Sequence, residues 1–528
     1  MRDKLFDVAI LGYGPVGAAL ANMLGQYGCK TVVLERETDI FPIPRAVHAD
    51  AETLRIFQAI GLQETMKPAL GTYYKREYLN AKGEIFFETL VRQTTPYGHR
   101  EDIYFHQPTM EAVLREGVTR FDQIDVRLGY EVSAIDQDEA CVTLLARNLA
   151  TDTEETIQAK YLIGCDGARS TVRKQMDMPL RDLGFDQPWL VVDVYLKEGV
   201  TAEAANIPNC HRQYCNPRQP ITFVPTAVKG HYRWEFMLLE GQTKAEIEQP
   251  EKVRQLLSLV VDPDKVDVVR SVVYTFHALI AKTWRVDRVF LAGDAAHQMP
   301  PFAGQGMCSG LRDVHNLSWK LAAVLAGHAP DSWLDTYQEE RRPHVTRMTR
   351  GTMLLGNLIQ TRHPLRAFLR DTLFKTILRI PTIFGRIAKF TLRSPDLKSG
   401  LLGHDGSKAA GTFFIQPYVL LETGESVLLD EVMGTGFAVL GLNQDPQSVL
   451  NTADFEFGST ISTTFIQVAT TPSPDSASDG TIIVTDGEGH LATWFQQYQA
   501  DFVVVRPDRY VFGAYKMSNI KESAIELL

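Results

Sequence analysis

The feature that most constrains the fold is a glycine-rich turn near the N-terminus. Residues 6–11 form a short apolar run that suits a buried parallel strand, and it leads directly into Gly12-Tyr-Gly-Pro-Val-Gly17. In a GxGxxG pattern, Gly12 permits a tight turn, Gly14 lets the backbone approach a pyrophosphate, and Gly17 lets the next helix pack on the sheet. Pro15 and Val16 would then open that helix, whose N-terminus faces the phosphates.

The strand that should follow supports a complete βαβ unit. Residues 31–34 are apolar, and the run ends at Glu35 and Arg36. A carboxylate at this distance from the glycines is placed to bind a ribose diol. The sequence therefore predicts a dinucleotide site at Glu35 and Arg36, although this motif by itself fits FAD and NAD equally well.

Two distant segments add further acids at strand ends. Residues 161–165 read as a buried strand followed by Asp166-Gly167, and residues 288–292 read as another strand followed by Gly293-Asp294. An acid at the carboxyl end of a strand, beside the phosphate-binding turn, can bind a ribityl or ribose hydroxyl. We therefore expect all three motifs to meet at one nucleotide site.

In their order and wide spacing, these motifs resemble those of the class A flavoprotein aromatic hydroxylases, which have the para-hydroxybenzoate hydroxylase fold. Within that family the chain is most similar to the 3-(3-hydroxyphenyl)propionate / 3-hydroxycinnamate hydroxylase branch. The segments that carry this closer match are Pro44-Arg45-Ala46, Gln213-Tyr-Cys-Asn-Pro217, Arg233-Trp-Glu-Phe236 and Gly304-Gln-Gly-Met-Cys-Ser-Gly310.

The resemblance implies FAD as the resident cofactor, NADH or NADPH as the reductant, and no metal. It implies that Glu35 holds the adenosine ribose, that Arg45 and Gln107 contact the FAD chain, and that Asp294 holds the ribityl group. Asp166 and Gly167 match a segment associated in the family with both FAD and the pyridine nucleotide.

The segment after Asp294 is expected to line the flavin ring. Prolines and glycines open a long helical pattern there, and the free N–H groups of a helix N-terminus stabilise negative charge on reduced flavin. The wider family often carries Asn at the position of Cys308, so backbone donors would act instead. The residues assigned to this contact are Pro301, Gly304, Gln305, Gly306, Met307 and Cys308.

The reaction implied by the resemblance is hydride transfer from NAD(P)H to FAD, addition of O2 to give a flavin C4a-hydroperoxide, and hydroxylation of a phenolic acid to a catechol. His48 is a candidate base or relay for the phenol, and Tyr214 and Arg233 are candidate contacts to the phenol and a carboxylate tail. One alternative is a hydroxylase of a larger polyketide or quinone-type aromatic. Another is an FAD-binding regulatory or partner protein without hydroxylase activity.

The predicted fold class is α/β, or α+β overall, with a C-terminal addition. A Rossmann-like FAD-binding domain comprises residues 1–180 and, with a helical segment, residues 281–400. Residues 181–280 are read as an inserted antiparallel substrate-binding sheet, because apolar runs alternate with Pro and Gly. Residues 405–528 are read as a thioredoxin-like domain that lacks CxxC.

Composition limits the partners. The net charge of −10 disfavours nucleic acid, and six scattered cysteines argue against a metal site and indicate reduced thiols in the cytoplasm. No apolar stretch is long enough to span a bilayer. The basic stretch 362–393 leaves three interpretations open: peripheral membrane contact, helices that buttress the FAD-binding domain, and a homodimer contact.

Overall fold

The first strand, Phe6–Leu11, lies at the centre of an eight-stranded sheet. In a computed structural model of the protein, residues 5–377, 394–403, 408–449, 461–471 and 478–518 are described. The parallel strands of this sheet are, in spatial order, Val289–Leu291, Thr153–Gly164, Phe6–Leu11, Thr31–Glu35 and Ile124–Leu128. Arg285–Val286 adds an antiparallel edge, and Tyr130–Gln137 and Val142–Asn148 form an antiparallel arm on Thr153–Gly164.

Helices cover this sheet and bury its apolar strands. The predicted order of strand, turn, helix and strand is confirmed, with the helix at Pro15–Gln26. The Gln305–Leu325 helix packs beside it, and most of its side chains are buried. The other helices of this body are Ala51–Ala59, Gln63–Met66, Gln107–Val118, Thr171–Gln175, Asp335–Ile359 and Pro364–Ile377.

A second, mostly antiparallel sheet stands beside the first. Its spatial order is His297–Gln298, Val266–Ala281, Leu180–Leu196, His231–Met237, Ile221–Pro225, His211–Tyr214, Lys75–Leu79 and Ile85–Leu90. The last two strands come from within the predicted range 1–180, so the sheet extends beyond the predicted insertion at 181–280. Lys75–Leu79 joins by parallel pairing with His211–Tyr214, a long-range contact that local sequence patterns do not report.

The two faces of this second sheet have different surroundings. One face, here called the outer face, packs its own apolar core under the Lys244–Ile247 and Pro250–Leu257 helices. Phe223, Trp234 and Phe236 belong to that core. The opposite face, here called the inner face, lies toward the FAD-binding body, because Arg233 on it bonds to the backbone of Pro44 and Arg45.

The C-terminal part forms a third sheet of mixed direction. Its order is Ser426–Leu428, Tyr418–Leu421, Thr481–Thr485, Thr463–Ala469, Phe437–Leu442, Phe502–Val505 and Val511–Tyr515, with the Leu429–Met433 and His490–Tyr498 helices. There is also a small three-stranded sheet, which consists of His48–Asp50, Asp102–Phe105 and Leu70–Gly71. The predicted fold class, a Rossmann-like body with an antiparallel sheet and a C-terminal domain, is confirmed.

A buried ion pair and a hydrogen bond fix the C-terminal body to the Asp335–Ile359 and Gln305–Leu325 helices. Arg506 lies between Glu340, at 2.7 Å, and Asp508, at 2.6 Å, and all three side chains are 0–1% exposed. Asn316 donates to both carboxylates, and Lys320 lies 3.0 Å from Glu340. Two cations therefore balance two anions in a cluster that joins the two bodies.

The described part of the basic stretch 362–393 is the Pro364–Ile377 helix, and residues 378–393 lie outside the described residues. Arg370 is 6% exposed and donates to the carbonyl oxygens of Cys215 and Leu358, while Lys375 pairs with Glu84. The helix therefore packs on the second sheet and on the Asp335–Ile359 helix, and the three interpretations of the basic stretch stay predictions. Among the described residues, no helix is long and apolar enough to cross a membrane.

Replacement of Arg506 by Met should strongly destabilise the protein. The change leaves Glu340 and Asp508 buried with only Lys320 to balance them, and loss of one partner of a buried pair costs about 3–5 kcal/mol. Arg254→Met is the matched control, because its pair with Asp264 is exposed and should contribute no more than about 1 kcal/mol. Urea unfolding of both variants measures the difference, and equal losses would contradict the docking role.

Candidate functional site

The glycine turn has the geometry that the pattern predicts. A Cβ on Gly12, whose φ is +101°, would lie 2.5 Å from the carbonyl oxygen of Cys165, and a Cβ on Gly17 would lie 2.0 Å from that of Gly12. Gly14, by contrast, has nothing within 4 Å on that side. Two glycines are therefore required by packing, and Gly14 leaves an open surface at the N-terminus of the Pro15–Gln26 helix that a pyrophosphate can occupy.

Glu35 is held at the carboxyl edge of the sheet. One carboxylate oxygen accepts from the backbone N–H of Tyr13 at 2.7 Å, and the other accepts from that of Glu37 at 2.9 Å. These bonds fix the carboxylate beside the turn, as a ribose contact requires. Arg36 is exposed and pairs with Glu37 at 2.7 Å, so the structure gives it no contact with the turn.

The Gly293-Asp294 segment is braced by a buried carboxylate that the sequence analysis missed. Asp313 accepts from the backbone N–H of Gly293 at 3.2 Å, from His297 at 2.6 Å and from Arg341 at 3.0 Å. Burial would raise the pKa of Asp313, but His297 and Arg341 outweigh it and hold that pKa below its usual range. Asp313 therefore remains charged and sets the conformation of the turn.

Asp294 itself is left free. Its side chain is exposed, and its carboxylate makes no hydrogen bond within the described part of the chain. The turn that carries it touches the other motifs, because a Cβ on Gly310 would lie 2.7 Å from Val16 and 3.0 Å from the Cα of Gly293. The three motifs thus meet at one place, where Asp294 can accept from a ligand hydroxyl.

Asp166 lies on the other side of the glycine turn. One oxygen, Oδ2, accepts from the backbone N–H groups of Thr171 and Val172 at 2.6 and 3.1 Å. The other, Oδ1, is buried without a hydrogen-bond partner. A buried, unsatisfied carboxylate oxygen is costly unless a ligand supplies the missing donor. The site therefore fits a nucleotide here. Gly167, at a φ of +77°, turns the chain directly after Asp166.

Gln107 acts on the loop that carries Arg45. Its side-chain oxygen accepts from the backbone N–H groups of Arg45 and Ala46, both at 2.8 Å. The Arg45 guanidinium lies 4.7 Å from the centre of the Phe41 ring. The side-chain oxygen of Gln107 therefore supports the loop that carries Arg45, and the contact of Gln107 with the cofactor stays a prediction.

The predicted flavin loop opens a helix without a side-chain cap. A turn at Pro301–Ala303 leads to Gly304, at a φ of +63°, and the helix begins at Gln305. Its first N–H groups therefore have no partner within the helix, and this part of the loop is partly exposed. Gly306 and Met307 lie in this first turn, so the backbone donors predicted for the ring are present.

Two side chains of the loop point away from the expected ring. Gln305 accepts from Arg312 at 3.1 Å. Cys308 is buried, and its thiol donates to the carbonyl oxygen of Gly304 at 3.5 Å. The structure therefore gives both residues a packing role and leaves the ring contact to the backbone.

His48 does lie at the flavin loop. Its Nδ1 is 3.3 Å from the carbonyl oxygen of Gly304, and its Nε2 contacts Asp102, which also contacts Arg76. Both ring nitrogens thus contact acceptors in the described part of the chain. His48 therefore braces the loop at Gly304, and its role as a base or relay for the phenol stays a prediction.

Arg233 and Tyr214 do not offer the predicted substrate contacts. Arg233 is 2% exposed and bonded on all three nitrogens, to Asp193 and to the carbonyl oxygens of Pro44 and Arg45. Its guanidinium joins the sheet to the loop and has no exposed face for a carboxylate tail. Tyr214 packs against the core of the outer face, because strand alternation turns it away from the inner face, so that prediction is wrong.

A polar network on the inner face takes their place. His211 is 2.8 Å from the Tyr104 hydroxyl on one side and 2.8 Å from the Gln213 amide nitrogen on the other, and Thr222 donates to the Gln213 oxygen at 2.7 Å. Burial lowers the pKa of His211 to about 3, so the imidazole is neutral. Only the strand register reveals these residues, since they alternate with the apolar side chains of the outer face.

An aromatic cluster joins the inner face to the flavin loop, and the region between that face and that loop is here called the crevice. The Phe302 ring of the loop lies 5.6 Å from that of Trp189 and 6.0 Å from that of Phe185. A Cβ on Gly356 would lie 2.5 Å from Phe302, so the Asp335–Ile359 helix closes the side. The crevice is thus bordered by aromatic side chains at one end and by the polar network in the middle. This combination suits the binding of a phenolic ring.

Comparison with known proteins agrees with this site. A family model described as an FAD binding domain matches residues 6–352, and one described as the HcaD C-terminal domain matches residues 411–528. The 3-(3-hydroxy-phenyl)propionate/3-hydroxycinnamic acid hydroxylases of Shigella sonnei and Klebsiella pneumoniae are each 36% identical to the chain. The match covers 96% of this chain and 91% of each relative.

Solved structures share the fold over the whole chain. The flavin-dependent monooxygenase PieE, in complex with FAD and substrate, matches with a TM-score of 0.80 at 21% identity, covering 100% of this chain and 99% of its own. Aklavinone-11 hydroxylase, with FAD and aklavinone, matches with a TM-score of 0.79 at 22% identity, covering 100% of both chains. At these identities the likeness establishes the fold.

Replacement of Asp294 by Asn should weaken FAD binding without unfolding the protein. Loss of a charge-assisted hydrogen bond to a ribityl hydroxyl is worth about 1.5–3 kcal/mol, which corresponds to a roughly 10- to 150-fold rise in Kd. Fluorescence titration of the apoprotein with FAD measures this Kd. Asp122→Asn, an exposed acid far along the chain, is the control, and an unchanged Kd for the Asp294 variant would contradict the assignment.

Proposed function

The chain belongs to the FAD binding domain family, that of the FAD-dependent aromatic hydroxylases, and from this premise we propose that it hydroxylates a phenolic acid to a catechol. NADH or NADPH would be the reductant and O2 the oxygen source. The observation that carries the proposal is the 36% identity to 3-(3-hydroxy-phenyl)propionate/3-hydroxycinnamic acid hydroxylases over 96% of the chain. Compounds like 3-(3-hydroxyphenyl)propionate are therefore the first substrate candidates.

FAD fits the residues of the site. Glu35 would hold the adenosine ribose, the open surface at Gly14 would accept the pyrophosphate, and Asp294 would hold the ribityl group. The first N–H groups of the Gln305–Leu325 helix would stabilise negative charge on the ring. When bound, FAD supplies the exchange of electrons with the nicotinamide and the activation of O2.

The chain's own residues would bind and shield the aromatic substrate. Trp189 and Phe302, whose rings contact each other, would provide an apolar wall that shields the substrate ring from water. The network of Tyr104, His211 and Gln213 supplies fixed polar groups on the inner face. His48 would hold the Gly304 carbonyl and so set the position of the flavin loop.

The alternative within the same chemistry is a larger aromatic substrate, such as a polyketide or quinone precursor. The glycine and acid motifs specify the cofactor, and the crevice residues do not fix the length of the substrate. A non-hydroxylating FAD-binding partner protein is not favoured, because the relatives are hydroxylases over nearly the entire chain.

We also propose a cytoplasmic location and a homodimer. All six cysteines are free thiols in the structure, which suits a reducing compartment. The Pro364–Ile377 helix exposes Leu365, Phe368, Leu369 and Leu373 among the described residues, a row that fits contact with a second copy. Sedimentation equilibrium would report the oligomer directly.

Oxidation of NADH and NADPH by the FAD-loaded protein should be stimulated by 3-(3-hydroxyphenyl)propionate and should yield a catechol. Absorbance at the nicotinamide band follows the reaction, and mass spectrometry after reaction under labelled O2 detects one incorporated oxygen atom. The matched control is 3-phenylpropionate, which lacks the hydroxyl group and should not be hydroxylated. Stimulation and labelling by a bulkier phenol alone would favour the alternative, and no labelling of any phenol would contradict the proposal.

A further inference from the structure

Glu235 lies on the inner face of the second sheet. In the strand register it pairs with Thr222 on one side and Val191 on the other. Thr222 donates to Gln213 in the polar network, and Arg233, two residues before Glu235, bonds to the Pro44–Arg45 loop. Because side chains two residues apart share a face, Glu235 points toward the FAD-binding body.

The position of Glu235 along the strand brings it next to the aromatic cluster. Met237 pairs with Trp189, so Trp189 is the diagonal neighbour of Glu235. Such neighbours on one face of a sheet are about 7–8 Å apart. Trp189 in turn contacts Phe302 of the flavin loop. Glu235 therefore stands where the aromatic end of the crevice meets its polar middle.

The carboxylate of Glu235 has no hydrogen-bond partner within the described part of the chain, although its side chain is partly buried. The nearest cations are already paired, since Arg233 lies 2.8 Å and Arg270 lies 3.3 Å from Asp193. A half-buried carboxylate that its neighbours leave unsatisfied is costly, unless a ligand supplies a donor. The phenolic hydroxyl of a bound substrate would supply the hydrogen-bond donor that the Glu235 carboxylate lacks.

The surroundings of Glu235 also set its protonation. Burial raises the pKa of Glu235 to about 6, with Arg233 and Arg270 opposing the shift and Asp193 adding to it. A base with a pKa near the working pH is well matched to proton transfer. The other titratable or charged side chains of this region are Arg76, Tyr78 and His211 on the inner face, and His48, Asp102 and Tyr104 from the small three-stranded sheet.

We propose that Glu235 accepts the hydrogen bond of the substrate's phenolic hydroxyl and removes its proton as the ring is attacked. The O–H bond breaks, the proton passes to the Glu235 carboxylate, and the electron pair stays on the phenolic oxygen, where it enriches the ring. The step involves no net oxidation and needs no further reactant. It rests on the proposed function, and it gives Glu235 the role of base for which the sequence suggested His48.

Glu235→Gln keeps the shape of the side chain and removes the base. We expect kcat with 3-(3-hydroxyphenyl)propionate to fall by about 10²- to 10⁴-fold. In the wild-type enzyme, kcat/KM should rise with pH through about 6, as Glu235 loses its proton, and this limb should be absent in the variant. Glu198→Gln, an exposed glutamate in the same part of the chain, should retain both rate and limb.

Ring-fluorinated substrates distinguish a role of Glu235 as a base from a purely structural role. Their hydroxyl groups are more acidic and need less help from a base. The ratio of kcat for the wild-type enzyme to kcat for Glu235→Gln should therefore fall as the substrate becomes more acidic. FAD content and circular dichroism confirm that the variant is folded and loaded.

Several outcomes would overturn the proposal. They are a variant within threefold of wild-type kcat, a pH limb that persists in the variant, or an equal loss with ordinary and fluorinated phenols. If the wild-type enzyme hydroxylates no phenol at all, the proposed function fails first. If the wild-type enzyme is active and Glu235→Gln is equally active, only the role of Glu235 fails.

Discussion

The cofactor site depends on the close approach of two backbones, at Gly12 and Cys165. A side chain at Gly12 would collide with the Cys165 carbonyl, so only glycine lets these neighbouring strands end together. That contact places Asp166 beside the turn and leaves the surface at Gly14 open. A second close approach occurs at the Gln305–Leu325 helix, since Gly310 lets this helix touch Gly293 and Val16. The nucleotide site is thus an arrangement of backbones, with a few acids at strand ends.

The substrate side depends on a different constraint, the register of the second sheet. One face of that sheet is an apolar core, so the pairing cannot slip by a residue without burying its polar partners. The register then fixes which side chains face the flavin loop: Gln213, Thr222 and Glu235 do, and Tyr214 does not. Arg233, bonded to the Pro44–Arg45 loop, sets the distance between this face and the cofactor body.

The elements that carry the proposed cofactor site could be predicted from the sequence, because their signals are local. A glycine turn between an apolar strand and a helix has few other structural meanings, and the acids at Glu35 and Asp294 follow their strands directly. The substrate half was predicted poorly, because its residues become neighbours only through pairing between distant strands. Strand Lys75–Leu79 and the brace at Asp313 carry no local signature. The sequence placed His48 near the flavin loop, but its contact with Asp102 joins residues that lie far apart in the chain.

A crystal structure of the FAD-loaded protein with 3-(3-hydroxyphenyl)propionate would locate the cofactor and the phenol together. We expect the flavin ring against residues 301–307, the substrate ring between Trp189 and the inner face, and its phenolic oxygen about 3 Å from the Glu235 carboxylate. A phenolic oxygen bound at His48 or at Tyr214 instead, with Glu235 facing only water, would contradict this expectation.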